Sequence, residues 1–254
     1  MARPVAVITG SSAGIGAATA QRFAAGGFDV VINFSRDPKP AEDVANLCRA
    51  AGAGVELVQA DVGKDEDCRR VASVVAQRWG SARALVNNAG RTKFVAMRDL
   101  DGLSAEDFQA IYNVNVVGAF QMARAFAPLL RKEKGASIVN VSSIAAVMAT
   151  GSCIAYMASK AALNTLTIAL ARTLGPEIRV NGVGPGMIES DWLKNGYGAE
   201  RYEAMGAAYR GQAALAATIA PADVAETIFA LSTAFPKTTG ETVLVDAGYR
   251  IQKA

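Results

Sequence analysis

The chain has 254 residues, 51% of them hydrophobic and 19% charged, with a net charge of +3, which suits one α/β domain with an ample core. It contains no histidine, which excludes a Ser-His-Asp triad, a histidine-ligated zinc site and a histidine general base. The low net charge argues against nucleic-acid binding, and three widely spaced cysteines predict neither a disulfide framework nor a metal site, so we expect a cytoplasmic protein.

Apolar runs of strand length alternate with helical patterns along the chain. The runs are continuously apolar, which is typical of strands buried on both faces of a parallel sheet. The sequence therefore predicts an α/β fold with a doubly wound parallel sheet, Rossmann-like, of about seven strands with helices on both faces. Strands are predicted at residues 4–9, 29–34, 55–60, 84–86, 137–141, 178–183 and 242–246, and helices at 14–26, 41–51, 65–79, 104–131, 154–174 and 221–231.

The pattern predicts a single domain over residues 1–254, because no linker, repeat or low-complexity run interrupts it. The first apolar run is too short for a signal peptide or a membrane span, so we expect no membrane association. Residues 187–220 are rich in Gly, Ala and Tyr and fit no strand–helix unit, and we predict that they form a mobile lid over the substrate.

A glycine-rich turn, TGSSAGIG at residues 9–16, follows the first predicted strand. Gly10, Gly14 and Gly16 permit a tight turn and the close approach of a ligand, and the N–H groups that open the next helix would face a pyrophosphate. The spacing differs from the usual G-x-G-x-x-G, but its place between a strand and a helix favours nucleotide binding. Ser12 and Ile15 belong to the same predicted contact.

The end of the second strand favours NADP(H) over NAD(H). In dinucleotide folds an acidic residue at this place binds the ribose 2′-hydroxyl, and here Phe34 stands near it. Ser35 and Arg36 follow and offer a hydroxyl and a guanidinium suited to a 2′-phosphate. The alternative is that Asp37 serves the ribose and Arg36 is an ordinary loop cation.

Two later positions carry polar side chains at the ends of elements. The Asp61 carboxylate, with Val62 beside it, could hold the adenine amino group, or Asp61 could be a helix N-cap. Ser104 and Asp107 predict a capping box at the start of the long helix over residues 104–131.

Tyr156 and Lys160 are four residues apart in a predicted helix, so their side chains share one face. A nearby ammonium would favour the phenolate and lower the pKa of Tyr156. The same spacing also occurs on helix faces without catalytic function. Ser143 lies just past a strand end, and all three residues converge with the glycine turn on the carboxyl edge of the sheet, where open α/β folds bind ligands.

Together these motifs resemble the short-chain dehydrogenase/reductase family, of the single-domain type, over nearly the whole chain. The resemblance rests on residues 9–16, 61–62, 87–90 (NNAG), 115, 142–143, 156–160, 181, 185–186 and 245–248 (VDAG). The GVG at 182–184 and the DAG at 246–248 depart slightly from the usual family pattern, in which alanines and DGG are more frequent.

The resemblance implies four catalytic residues. Tyr156 would donate the proton in reduction and accept it in oxidation, and Lys160 would lower its pKa and hold the nicotinamide ribose. Ser143 would hydrogen-bond the substrate carbonyl oxygen, with Ser142 as the alternative. Asn115 would hold a water that links Lys160 to a proton relay.

The resemblance also implies the cofactor contacts. Residues 87–90 would contact the adenine ribose. Pro185, Gly186 and Ile188 would pack along the nicotinamide amide, and Ser190 stands where the family often has a threonine. The full predicted set for NADP(H) is Gly10, Ser12, Ile15, Gly16, Ser35, Arg36, Asp61, Val62, Asn88, Ala89, Gly90, Tyr156, Lys160, Pro185, Gly186, Ile188 and Ser190.

The general pattern is similar to that of 3-oxoacyl-(acyl-carrier-protein) reductases, so the expected substrate is a small carbonyl or alcohol compound, such as a 3-oxoacyl thioester. A sugar, polyol or steroid dehydrogenase is the alternative within the family, and a catalytically silent NADP-binding regulator is the alternative of another class. Cys153 could line the pocket as an apolar filler or as a reactive thiol. Five large side chains of residues 187–220 could line a pocket for a moderately apolar carbonyl compound or pack the lid onto the protein: Trp192, Tyr197, Tyr202, Met205 and Tyr209.

The predicted helix over residues 154–174 is apolar on more than one face. One face would pack on the sheet, and the other needs a cover, which predicts pairing with a second subunit together with residues 104–131. The family usually forms tetramers, and the apolar last strand could make the second interface. We expect a homotetramer or a dimer.

Overall fold

A computed structural model describes residues 3–253, which form one parallel sheet of seven strands. The strands are β1 Val5–Ile8, β2 Asp29–Phe34, β3 Val55–Gln59, β4 Ala84–Asn87, β5 Ala136–Val141, β6 Ile178–Pro185 and β7 Thr242–Val245. Their order is β3-β2-β1-β4-β5-β6-β7. All strands are parallel, and the strand order reverses between β1 and β4, the switch point where open sheets of this kind bind ligands. The predicted doubly wound sheet is confirmed.

Helices cover both faces of this sheet. They are α1 Gly14–Ala25, α2 Pro38–Ala50, α3 Asp65–Arg78, α4 Ala105–Tyr112, α5 Ala119–Leu130, α6 Ala145–Met148, α7 Ile154–Leu174, α8 Asp191–Tyr197, α9 Ala199–Gln212 and α10 Pro221–Thr233. Val7 and Ile8 are neighbours in β1 and are both fully buried, but they belong to two different cores. Ile8 packs with Phe23 of α1, and Val7 packs with Phe126 of α5. This two-sided burial explains the continuously apolar strands.

The predicted helix over residues 104–131 is not regular throughout. A π-helical turn, Asn113–Gly118, separates α4 from α5. An α-helical periodicity in the sequence does not reveal such a turn, because the turn adds only one residue to the pattern. The predicted capping box is present: the Asp107 N–H donates to Ser104 Oγ at 3.3 Å, and the Ser104 N–H donates to the Asp107 carboxylate at 3.0 Å.

Residues 187–220, for which no regular unit was predicted, contain α8 and α9. The two helices meet at Gly198, whose φ of +83° suits glycine. Helix α2 begins at Pro38, three residues before its predicted start, because Asp37 caps it and proline is favourable in a first helical turn.

Within residues 3–253, α7 is the one helix that is long and apolar enough to cross a membrane by these two measures alone. Its Leu163, Leu170 and Leu174 are buried in the protein, and so is its Lys160. This burial is expected of a core helix in a folded domain.

Candidate active site

The glycine turn opens toward the space above the switch point. Gly10 and Gly14 have φ values of +61° and +53°. A Cβ at Gly10 would stand 2.9 Å from Ala89 Cα, whereas a Cβ at Gly14 would meet none of the described residues within 4 Å. Gly10 is therefore packed, and Gly14 faces open space. Among the described residues, no side chain caps α1 and no acidic residue lies in its first turn, which fits a pyrophosphate at these N–H groups.

Asn33 fixes this turn from the neighbouring strand, and the sequence analysis missed it. Its side chain is buried, and its Oδ1 accepts from the Gly10 N–H at 3.0 Å. Its Nδ2 donates to the carbonyls of Ala60 at 3.0 Å and Val58 at 3.2 Å. The signal for it was a lone amide inside an apolar strand, because a buried amide requires hydrogen-bond partners.

Thr9 and Asn88 join the turn to the end of β4. Thr9 Oγ1 accepts from the N–H groups of Asn88 at 2.9 Å and Ala89 at 3.0 Å. Asn88 Nδ2 donates to the carbonyls of Thr9 and Gly10, each at 2.9 Å. A Cβ at Gly16 would stand 2.5 Å from Asn88 Nδ2. These hydrogen bonds hold the glycine turn after β1 against the predicted cofactor residues after β4.

The end of β2 presents an exposed cation, and the nearest carboxylate serves as a helix cap. Phe34 is buried in the core, and Asp37 accepts a hydrogen bond from the Lys39 N–H at 3.0 Å as the cap of α2. Ser35 and Arg36 are exposed, and the Arg36 guanidinium forms no ion pair with any residue between 3 and 253. Arg36 is therefore available to an anionic ligand, whereas the Asp37 carboxylate already stabilises a helix.

Asp61 lies in a turn after β3. One of its side-chain oxygens accepts from the Gly63 N–H at 3.0 Å. The N-cap of α3 is Lys64, so the alternative that Asp61 caps this helix is wrong. Asp61 is exposed, whereas Val62 beside it is buried and its carbonyl accepts from Gln121 Nε2 at 2.9 Å.

Lys160 lies on the sheet-facing side of α7. Its side chain is 4% exposed, and its Nζ donates to the Val141 carbonyl at 2.7 Å. The same Nζ lies 5.6 Å from the centroid of the Tyr156 ring. Burial lowers the pKa of Lys160 to about 8, because the charged ammonium loses hydration. The ammonium form still predominates at neutral pH.

The pKa of Tyr156 differs from the lowered value expected from the sequence. Burial raises its pKa to about 12, and the neighbouring Ser143 hydroxyl opposes this rise. In the protein alone, burial therefore outweighs the predicted lowering of this pKa by Lys160. The loss of phenolate hydration dominates, and the Lys160 ammonium donates to Val141 instead. The Tyr156 phenol consequently keeps its proton at neutral pH, which is the form that can donate to a substrate.

The two serines after β5 have different surroundings. Ser143 is partly exposed and lies beside the Tyr156 phenol, and its Oγ accepts from the Ala145 N–H at 3.1 Å. Ser142 is buried and donates to the Lys160 carbonyl at 3.2 Å. Of the two, Ser143 has the hydroxyl placed to meet a substrate oxygen next to Tyr156.

The π-helical turn brings Asn115 against α7. Asn115 is buried, its Oδ1 accepts from the Arg91 N–H at 2.7 Å, and its Nδ2 donates to Ser159 Oγ at 2.9 Å. Ser159 in turn donates to the Tyr156 carbonyl at 2.7 Å. Ser159, which the sequence analysis did not single out, thus links Asn115 to the backbone of Tyr156. A Cβ at Gly90 would lie 3.7 Å from Asn115 Oδ1, so this predicted cofactor residue also borders Asn115.

The predicted nicotinamide residues lie at the end of β6. A Cβ at Gly186 would stand 2.0 Å from the Tyr209 hydroxyl, so only glycine fits beside Pro185. Ile188 is buried, and Ser190 caps α8 through its hydroxyl. These residues line the same edge of the sheet as the glycine turn, because β6 and β1 are parallel members of one sheet.

Cys153 packs with Ile111 and Ala155 and is 1% exposed, as expected of an apolar filler. Within the part of the chain that the structure describes, no group of three or more cysteine, aspartate or glutamate side chains is arranged to hold a metal ion.

Comparison with known proteins identifies the family. Residues 10–250 match the family described as enoyl-(acyl carrier protein) reductase. A protein named as a ketoacyl reductase of the granaticin polyketide synthase of Streptomyces violaceoruber is 40% identical over 245 residues, covering 96% of this chain and 95% of the relative. A 3-oxoacyl-[acyl-carrier-protein] reductase of Synechocystis sp. is 32% identical over 247 residues, covering 96% of both chains. A solved structure described as a short-chain dehydrogenase/reductase from Burkholderia xenovorans is 41% identical with a TM-score of 0.91, covering 99% of both chains. The chain therefore belongs to the short-chain dehydrogenase/reductase family, and it is an oxidoreductase.

Proposed function

We propose that the protein is an NADP(H)-dependent reductase that interconverts a carbonyl compound and its alcohol, with a 3-oxoacyl thioester as the substrate class. The observation that carries the proposal is the convergence of Tyr156, Ser143 and Lys160 with the glycine turn at the switch point. The substrate class is supported by the names of the two relatives, a ketoacyl reductase and a 3-oxoacyl reductase.

Each side chain has a distinct task in this mechanism. The Ser143 hydroxyl and the Tyr156 phenol, which lie side by side, hydrogen-bond the carbonyl oxygen of the substrate. A nicotinamide cofactor bound by the glycine turn and Lys160 would supply the hydride to the carbonyl carbon. Tyr156 gives its proton to the oxygen as negative charge develops there. The Lys160 ammonium, buried one turn away, stabilises the phenolate that remains and holds the ribose of the cofactor.

The preference for NADP(H) is proposed from the end of β2. Arg36 is exposed and without an ion pair among residues 3–253, and Ser35 offers a hydroxyl beside it. A ribose 2′-phosphate would pair with the Arg36 guanidinium. Asp37 would repel the same phosphate only weakly, because its carboxylate points to the start of α2.

Replacing Arg36 by alanine is expected to weaken NADPH binding and to leave NADH binding unchanged. A hydrogen bond between charged partners contributes about 1.5–3 kcal/mol, so the Kd for NADPH should rise roughly 10- to 100-fold. Titration calorimetry with both cofactors measures this. Arg49→Ala, in the last turn of the helix that follows Arg36, is the matched control. An equal loss for both cofactors, or no loss, would show that Arg36 does not read the 2′-phosphate.

The assembly is proposed to be a homotetramer or a dimer that pairs through α4, α5 and α7. The outer faces of these helices expose four large apolar side chains: Phe108, Tyr112, Phe120 and Ile168. An apolar face of this kind on a single subunit is typical of a protein–protein interface. A second copy of the chain would cover it by two-fold symmetry.

Light scattering at micromolar concentration should therefore give a mass of two or four chains. Phe108→Glu should shift the mass toward that of one chain, because a buried carboxylate in the interface would be unpaired. Phe235→Glu, at another exposed aromatic residue, should not change it. A monomer for the unsubstituted protein would contradict the proposed pairing.

A further inference from the structure

Three aromatic side chains that the proposed mechanism does not use form a cluster that reaches Tyr156 through one of its members. We call them the aromatic trio: Phe94 from the loop between β4 and α4, with Trp192 and Tyr197 from α8. The Phe94 ring meets Tyr197 edge to face, with 4.7 Å between ring centroids, and meets Trp192 in the same manner at 5.9 Å. The Trp192 ring lies 6.4 Å from the Tyr156 ring. The trio therefore lies beside the phenol that would deliver the proton.

Gly196 allows the Phe94 ring to pack against α8 and so to contact both other rings. A Cβ at this position would stand 2.1 Å from ring carbons of Phe94. Phe94 therefore lies directly on the backbone of α8, and it connects two segments that are about a hundred residues apart in the sequence. The loop itself is held from the other side, because the Val95 N–H donates to the Ser152 carbonyl at 2.9 Å.

The three rings are not equally covered. Phe94 and Tyr197 are partly buried by each other, whereas Trp192 is 49% exposed. An indole with half its surface free, next to a proton donor, presents a flat apolar surface to a bound molecule. Aromatic rings gain about 0.5–1.5 kcal/mol from face or edge contacts beyond the area they bury. An unbranched alkyl chain gains only the burial of its area.

We infer that the aromatic trio selects substrates in which the reacting carbonyl lies on a ring fused to an aromatic ring, in preference to unbranched aliphatic ketones. The inference rests on the proposed reductase activity for the position of the carbonyl. The binding preference itself rests on Phe94, Trp192 and Tyr197 and is measurable without turnover.

The first experiment compares two ketones of ten carbons each, 2-tetralone and 2-decanone, with NADPH. Trp192→Leu and Phe94→Leu retain apolar volume and remove the ring face. Each should lower the ratio of kcat/KM values for 2-tetralone over 2-decanone by roughly 2- to 12-fold, mainly through KM. Gly196→Ala should have the same effect, because it displaces the Phe94 ring without removing any aromatic side chain. Phe235→Leu removes an exposed ring elsewhere and is the matched control.

The second experiment measures binding with NADP⁺ present, so that the ketone is not reduced. The chain has two tryptophans, Trp79 and Trp192. The difference between the fluorescence of the unsubstituted protein and that of Trp192→Leu therefore isolates the Trp192 signal. We expect 2-tetralone to quench this signal saturably, 2-decanone to do so only at higher concentration, and Gly196→Ala to weaken the 2-tetralone titration.

The outcomes separate this inference from the proposed function. If the Trp192 signal does not respond to 2-tetralone, or if the trio variants change both ketones equally, the inference is overturned even when the enzyme is active. If neither ketone is reduced but 2-tetralone still quenches Trp192 saturably and preferentially, the inference holds and the proposed reductase activity toward ketones fails.

Discussion

Replacing Tyr156 by phenylalanine is expected to lower kcat for carbonyl reduction by about 10²–10⁴-fold, the usual range for loss of a general acid. The phenol lies beside Ser143, and its pKa of about 12 keeps it protonated at neutral pH. Phenylalanine keeps the ring and its packing and removes only the hydroxyl group that carries the proton. Stopped-flow measurement of NADPH oxidation gives kcat, and a parallel NADPH titration separates the loss of the proton donor from the loss of a cofactor contact.

Tyr112→Phe is the matched control, because it removes a hydroxyl from an exposed tyrosine on α4. If Tyr156→Phe reduced carbonyl substrates as fast as the unsubstituted protein, the proton would come from another group. If the unsubstituted protein bound NADPH tightly but reduced no carbonyl compound in a broad panel, the silent regulator would replace the proposed enzyme.

Replacing Lys160 by methionine is expected to lower kcat/KM by about 10²-fold or more, since a preorganised charge next to the phenolate is removed. It should also change how stability depends on pH. Burial lowers the pKa of Lys160 from 10.5 to about 8. Between these values the unfolded chain binds more protons than the folded protein, so the stability contributed at this site rises with pH.

The penalty for burying the ammonium is thus fully present below pH 8 and is lost as the pH approaches 10.5. Between pH 7 and pH 10.5 the free energy of unfolding of the cofactor-free protein should therefore rise by about 3 kcal/mol relative to Lys160→Met. Urea unfolding across this range measures the difference, and other titrations cancel because both proteins share them. Lys237→Met, in an exposed position, should show no such trend. A constant difference would mean that Lys160 titrates normally.

Much of the fold could be predicted from local patterns in the sequence. Val7 and Ile8 are both apolar because they serve two cores, and this pattern recurs in the other strands. The glycine turn could be predicted because Gly10 and Gly14 adopt conformations that other residues avoid. The π-helical turn at Asn115 could not be predicted, since hydrogen bonds to Arg91 and Ser159 hold it there.

Some residues of the candidate site could also be predicted from the sequence, and others could not. The identities of Tyr156, Lys160 and Ser143 and their spacing came from the sequence, because helix geometry and strand ends impose short-range constraints. Asn33 was missed, because its partners Gly10, Val58 and Ala60 come together only when β1, β2 and β3 are side by side. Whether Asp61 caps α3 was decided by where this helix starts, which depends on its cap, Lys64.

The sequence by itself determined the fold class, the position of the nucleotide turn and which side chains are available for acid–base chemistry. These properties follow from local backbone preference, periodicity and the lack of histidine. Only the tertiary structure decided the protonation of Tyr156 and Lys160 and the meeting of Phe94 with α8. Desolvation and long-range packing depend on how segments distant in sequence surround a group, and a linear pattern does not contain that information.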